Sequence, residues 1–305
     1  MKKIYATIGL LSFVLGCQNA PQQTQDLPVK SANEKTNNEQ SAFKPDAQWN
    51  QYWYDGKAEL TSFKLMQSRY GQIHEGEATT IFVTEDFSAA KQVKLDDASK
   101  AGADKVPMLK LNLVKKFQTG IYPYSLMTSV FTPTDASSSL KLTTSGQEWC
   151  GHVFMQLNLQ ANAYRYRGFS YFESEGDEDR NIEKAILEDE VWNLIRLNPS
   201  LLPTGKVRMI PSSLVARLAH FKMDVTDVEA SLSEEKGEMV YTLKYALPIE
   251  RTLTIRFEKA FPHHILGWSD AYQNLTTVAT QKKSIRLDYW TKHNNEDRKL
   301  LELLN

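Results

Sequence analysis

Cysteine is almost missing from this chain. Cys17 and Cys150 are the only two among 305 residues, and the first has another use, so no intramolecular disulfide framework exists. There is no Walker loop, no Gly-x-Gly-x-x-Gly after a strand and no Gly-x-Ser-x-Gly elbow, which excludes nucleotide, dinucleotide and common hydrolase readings. An excess of positive charge is also absent. Thirty-six Lys and Arg stand against thirty-seven Asp and Glu with no basic tract, so a nucleic-acid partner is disfavoured. No apolar run is long enough to span a bilayer. The amino-terminal Ile4–Leu15 run has about 12 residues, roughly 18 Å as a helix, against the roughly 20 residues that a bilayer core needs.

That run is the right length for a secretory signal. Met1-Lys2-Lys3 is basic, the apolar stretch follows, and Val14-Leu15-Gly16-Cys17 closes it. The closing motif resembles the lipobox of the lipoprotein signal peptidase, with Leu15 somewhat large for its place. It predicts removal of residues 1–16 and lipidation of Cys17, on the thiol and on the new amino group. Several acyl chains anchor stably where one binds only marginally. Residue 18 is Gln rather than Asp, which in enteric-type sorting resembles an outer-membrane destination, on its periplasmic face. From residue 18 to about residue 45 the chain is rich in Gln, Asn, Ser, Lys and Pro. It cannot bury enough surface to offset its ordering entropy and reads as a flexible linker with a reach of roughly 30 Å.

The remainder, 46–305, reads as a single mainly β domain, with a possible subdomain boundary near 199–205. Tyr241, Leu243 and Tyr245 alternate with Val240, Thr242 and Lys244. Leu253, Ile255 and Phe257 alternate with Thr252, Thr254 and Arg256. Period two gives one wet and one buried face, the mark of an antiparallel sheet. Runs at 57–70 and 77–84, flanking Gly71 and Gly76, predict a first hairpin. Runs at 108–116, 125–132, 140–144, 148–157, 164–172, 265–272 and 276–289 predict further strands. One helix is expected from the acidic start at 176–180 through Ile182, Ile186, Leu194 and Ile195 to the stop at Asn198-Pro199. A short terminal helix is expected over 295–304. The simplest packing is a curved antiparallel sheet or half-barrel around one helix.

The densest chemical cluster is Gln147-Glu148-Trp149-Cys150-Gly151-His152. On a strand, Glu148, Cys150 and His152 share a face, about 6.5–7 Å apart at each step. His152 could then activate the Cys150 thiol while Glu148 orients a partner, or the three could ligate zinc. The plainer reading is a buried thiol packed as a small hydrophobe, with Gly151 marking a bulge. His263-His264 point to opposite faces if on a strand and make poor joint ligands; in a turn they could do better, and the plainer reading is a solvated loop after the 253–257 strand. The acidic run Glu173–Asp179 could bind calcium but lacks EF-hand order, and reads more simply as a solvated helix start. Trp49, Tyr52, Trp53, Tyr54, Tyr122 and Tyr124 could stack on sugar or lipid, or fill a β core. No catalytic residue, metal ligand or cofactor is assigned from these patterns.

The signal, the 147–152 cluster, Ser170–Glu175, the Leu201–Gly205 turn and the Arg251–Phe257 strand together resemble a family of bacterial lipoproteins, themselves poorly characterised. Its members often carry the name septum formation inhibitor Maf. The resemblance covers essentially the whole mature domain and implies an envelope- or division-associated factor. The cytoplasmic Maf nucleotide pyrophosphatases open instead with a Ser-Pro-Arg-Arg phosphate-binding stretch, which this chain lacks, so no catalytic residue carries over from them. The leading expectation is therefore a membrane-anchored, non-enzymatic binding or carrier module for a lipid, glycan or protein. The alternatives are a thiol-dependent envelope enzyme using Cys150 and His152, or a structural factor of the envelope.

Overall fold

A computed structural model of the chain describes residues 43–246 and 248–305. The signal, the lipobox Cys17 and nearly all of the linker lie outside the described residues. Residues 41–305 form one compact unit.

After a first helix, α1 (Ala47–Trp53), the chain runs through β1 (Ala58–Arg69), β2 (Gln72–Ser88), β3 (Val93–Lys94), β4 (Lys105–Thr119) and β5 (Tyr122–Pro133). It continues through β6 (Lys141–Glu148), β7 (Gly151–Leu159), β8 (Ala163–Ser170), β9 (Glu178–Glu183) and β10 (Ile186–Leu187). Helix α2 (Val191–Leu197), strand β11 (Gly205–Ile210) and helix α3 (Ser213–Ala219) follow. Then come β12 (Thr226–Glu235), β13 (Glu238–Tyr245), β14 (Arg251–Glu258), β15 (Ile265–Tyr272) and β16 (Leu275–Leu287).

All sixteen strands belong to one sheet, in the order β10-β11-β12-β13-β14-β15-β16-β1-β2-β4-β5-β6-β7-β8-β9, with β3 paired to β2. Every pairing is antiparallel except β10–β11. The two ends of this path, β9 and β10, are consecutive in the chain, so the sheet curls until its edges face each other. No ladder joins them. Arg208 of β11 instead reaches across to Glu183 of β9, at 2.8 Å and 2.9 Å. The fold is mainly β, an open antiparallel sheet bent into a near-barrel, as the alternation predicts.

The alternating positions face inward as expected. Leu253, Ile255 and Phe257 are buried, and so are Tyr241, Leu243 and Tyr245. Inside the curve lies α2, whose seven residues are all buried. Such a helix is enclosed rather than amphipathic. Asn193 on α2 donates to the carbonyls of Leu109 and Val130 and to Thr132 Oγ1, tying the helix to β4 and β5. A smaller apolar cluster, Ala58, Leu60 and Val83, lies on the outer face, where the terminal 3₁₀ run Asn295–Leu304 packs Leu304 against it.

Several expectations are corrected. The first hairpin reverses at Tyr70-Gly71, both in the left-handed region, and β2 passes straight through Gly76. Gly76 is required there because a Cβ would lie 2.4 Å from the Lys116 carbonyl on β4. The helix expected from residue 176 begins only at Val191. Residues 178–183 form β9, which extends the sheet beyond β8, and Asp179 accepts diagonally from Arg165 at 2.6 Å and 2.9 Å, a pairing between strands that periodicity within one segment does not show. The stop at Asn198 holds. The single expected helix becomes three, since α1 and α3 are too short for a periodic signal. The terminal helix is 3₁₀ over the residues expected.

Candidate functional site

The interior is polar in two places. In the first, Glu59 on β1 faces Arg196 on α2, and both are almost fully buried. Tyr52 Oη donates to Glu59 Oε2 at 2.6 Å, and His264 Nε2 lies 3.3 Å from the same oxygen. Burial opposes the charge on Glu59, but Arg196 and the hydrogen bonds from His264 and Tyr52 outweigh it and hold the carboxyl down at about 2. The hydrogen bond to Glu59 raises His264 above the ordinary histidine range, against its own burial. His263 turns away, its Nδ1 at 3.2 Å from the Glu258 carbonyl oxygen, so the two histidines do not converge. Tyr52 and Trp53 of the aromatic set belong to this structural cluster, and Trp49 Nε1 donates to the Arg196 carbonyl at 3.1 Å.

The second polar region is built where the turn before α2 meets the start of α3. Glu188 accepts from Arg251 Nη2 at 2.7 Å and from Tyr245 Oη at 2.6 Å. Arg251 also grips Asp270 through two bonds of 2.6 Å and 2.9 Å. Asp189 accepts from the Ser213 amide and hydroxyl at 2.9 Å and 2.8 Å. Acidic groups at a helix amino end suit the helix dipole. These carboxylates follow one another in the sequence as Glu188-Asp189-Glu190, all buried, and anchor two helices to the sheet.

Beside this network, α3 divides one end of the interior into two cavities. The smaller, of about 270 Å³, lies on the Ala216 side, where Arg217, His220, Glu175 and Arg180 meet. Its charges are largely paired: Arg217 Nη2 reaches Glu148 at 2.7 Å, His220 Nδ1 lies 2.5 Å from Glu175, and Arg180 Nη1 reaches Asp224 at 2.7 Å. The larger cavity, of about 480 Å³, lies on the opposite side of the helix. Its apolar wall comes from Leu214, Val215 and Leu218 on α3 and Leu275 on β16. Its polar wall comes from Gln67, Lys115, Asp270 and Thr277. This size falls in the roughly 300–1,000 Å³ range of small-molecule sites, and apolar walls with a few converging polar groups are their usual make-up.

Lys115 is the unusual member. It is 5% exposed, yet among the described residues its ammonium makes no hydrogen bond and no ion pair within 4.0 Å. Its nearest marked contact is the Trp268 ring, with Nζ 5.6 Å from the centroid. Burial pushes its pKa below the ordinary lysine range, against attraction from Asp270. Gln67 presents a second unpaired atom. Its amide nitrogen donates to the Ser68 carbonyl and to Thr277 Oγ1, each at 3.0 Å, which leaves Oε1 buried without a donor.

Lys115 was hidden in the sequence in plain view. Leu109, Leu111, Leu113, Lys115 and Phe117 form the inward phase of β4, and a lysine in that phase is the one signal that could have singled it out.

The 147–152 cluster does not assemble as expected. Trp149-Cys150 is the two-residue turn between β6 and β7, with Glu148 paired to Gly151 in register. Cys150 is therefore exposed and on no strand face, which also overturns its reading as a buried hydrophobe. Glu148 turns inward to Arg217, while His152 lies outward on β7. Gly151 is no bulge. It opens β7, and a Cβ there would sit 2.6 Å from the Tyr171 ring. The acidic run likewise disperses, with Glu175 on His220 and Ser170, Glu178 on Arg180 and Asp179 on Arg165. Among the described residues no three His, Cys, Asp or Glu side chains are placed to hold a metal ion.

The turns at the cavity end form an aromatic rim. Successive tips carry Tyr70, Ile121, Trp149 and Tyr171, all well exposed, with Ile121 at 82% and Trp149 at 68%. Tyr70 Oη bonds Tyr122 and Tyr124 at 2.9 Å and 2.7 Å, and Tyr122 stacks near Trp149 with centroids 6.3 Å apart. Tyr70 and Gly71 also line the larger cavity.

No family model matches the chain, and no curated protein does. Among solved structures it is similar to the crystal structure of a β-barrel-like protein of a domain of unknown function, DUF1849, from Brucella abortus. That similarity has a TM-score of 0.48 at 8% identity, and covers 75% of this chain and 98% of the other.

Proposed function

We propose that this chain is a non-enzymatic binding or carrier module that holds a lipid-like ligand in the cavity beside α3. The observation that carries the reading is the cavity itself: an apolar helix wall facing a sheet wall with a buried, unpartnered lysine. A cation with no protein partner, facing a poorly solvated cavity, is stabilised by a ligand that pairs with it. Tyr and Trp residues favour the boundary between water and lipid, so the rim beside the mouth suits a protein that meets a bilayer.

The anchor belongs to the same proposal. Acylated Cys17 would hold the module in the cell envelope, at the periplasmic face of the outer membrane, with the linker allowing the rim to approach lipid. Membrane fractionation of wild type and Cys17→Ala tests it: loss of the variant from the membrane fraction is expected, and unchanged partition would remove the anchor.

Native mass spectrometry of the chain from Gln18 onward, purified gently from a bacterial periplasm, tests the binding reading. A reproducible mass excess, lost on denaturation and absent from a Leu218→Trp variant with a filled cavity, is the expected result. A bare polypeptide mass would move weight to a protein partner or a structural role.

A further inference from the structure

We propose that the larger cavity binds the carboxylate of an acyl-chain acid, with Lys115 as its counter-charge and α3 as the wall for the chain. This rests on the binding reading above and names the ligand class of that site.

The charges that face the cavity decide between head groups. Asp270 is already engaged by Arg251 through two hydrogen bonds. Arg69 donates to the Leu218 carbonyl and, at 3.3 Å, to Tyr70 Oη, and its guanidinium lies 4.3 Å over the Tyr70 ring. Lys115 alone among these has no polar partner in the described residues. Lys115 and Arg69 are two cations at this cavity with no carboxylate partner among the described residues, so the head group is an anion. A phosphate dianion would bring a second negative charge toward Asp270, and like charges in a poorly solvated site repel strongly. A neutral head group would leave the ammonium uncompensated. A cationic one would set two positive charges together. A carboxylate fits.

The apolar half of the ligand follows from the opposite wall. Leu214, Val215 and Leu218 form one stripe along α3, and Leu275 extends it from β16. A straight hydrocarbon chain laid on this stripe exchanges water for apolar contact at roughly 25 cal/mol per Å².

Isothermal titration calorimetry of the chain from Gln18 onward, with decanoate, decanol and decylamine at neutral pH, tests the assignment. Saturable binding of one decanoate is expected, with decanol weaker by at least about tenfold, as a charge-assisted hydrogen bond implies, and decylamine weaker still. Lys115→Met should bring decanoate down to the level of decanol and leave decanol unchanged. Leu218→Trp, on the helix wall, should abolish both and serves if Lys115→Met does not fold. Equal binding of decanoate and decanol, or a Lys115→Met variant that binds decanoate like wild type, would overturn the assignment. If none of the three binds while native mass spectrometry still shows a retained ligand, this ligand class fails and the binding reading stands.

Discussion

Glu59 on β1 and Arg196 on α2 form an ion pair from which water is excluded, their side chains 2% and 0% exposed. The pair fixes the buried helix to the sheet wall, since Arg196 also lies 5.3 Å from both the Trp53 and Phe82 rings. Removing one partner leaves the other charged in an apolar surrounding. Glu59→Met and Arg196→Met are each expected to destabilise the chain by about 3–5 kcal/mol, while the double change should cost less than either single change. Urea denaturation of the four proteins measures the coupling. Additive effects would show that the two charges do not depend on each other.

The same cluster makes stability depend on pH in two opposite directions. Glu59 titrates lower in the folded chain than in the unfolded one, at about 2 against an ordinary 4.5. Its contribution is complete above about pH 4.5 and is lost as pH falls toward 2. His264 is raised, so its contribution is present below about pH 6.5 and disappears as pH rises through its folded value. The denaturation midpoint of wild type is therefore expected to exceed that of His264→Phe by more at pH 6 than at pH 8. A gap that widens with pH would show that the imidazole is neutral in the folded state.

Much of this architecture was legible because sheet alternation is a local signal. Tyr241, Leu243 and Tyr245 declare their buried face without reference to any other strand. Asp179 does not, because what makes it a strand residue is its ladder with β8, where it lies opposite Arg167. The helices fail for a related reason: Ser213–Ala219 is two turns long, and its place is set by Asp189 at its amino end and Arg217 on Glu148. The cavity depends on that placement, so its outline could not be read from the chain. Its chemistry could have been, since Lys115 interrupts an otherwise apolar inward phase.

The exposed turn position of Cys150 gives the thiol-enzyme alternative a direct test. A mild thiol reagent is expected to label Cys150 quickly without denaturant, because the side chain is already open to solvent. Nothing in the geometry couples it to His152, which sits outward on β7, or to Glu148, which is committed to Arg217. The His152→Ala variant should therefore react within about twofold of the wild-type rate, since the imidazole makes no contact with the thiol. A tenfold or greater slowing would show that the imidazole activates the thiol and would favour the enzyme reading.

The rim makes a prediction of its own. Trp149 and Tyr171 project at adjacent turns, and the ring of Tyr171 packs over Gly151. If these rings enter the lipid interface, replacing both with Ser removes apolar area that the bilayer would otherwise cover. Binding of the unacylated chain to phosphatidylethanolamine–phosphatidylglycerol vesicles is then expected to weaken by roughly tenfold or more. Ile121→Ser alone should have a smaller effect in the same direction. The fold should be indifferent to all three changes, because none of these side chains is buried, so unchanged denaturation midpoints must accompany the loss. Vesicle binding that survives the double substitution would separate the rim from the membrane, leaving Cys17 to do the anchoring and the rim to meet a protein instead.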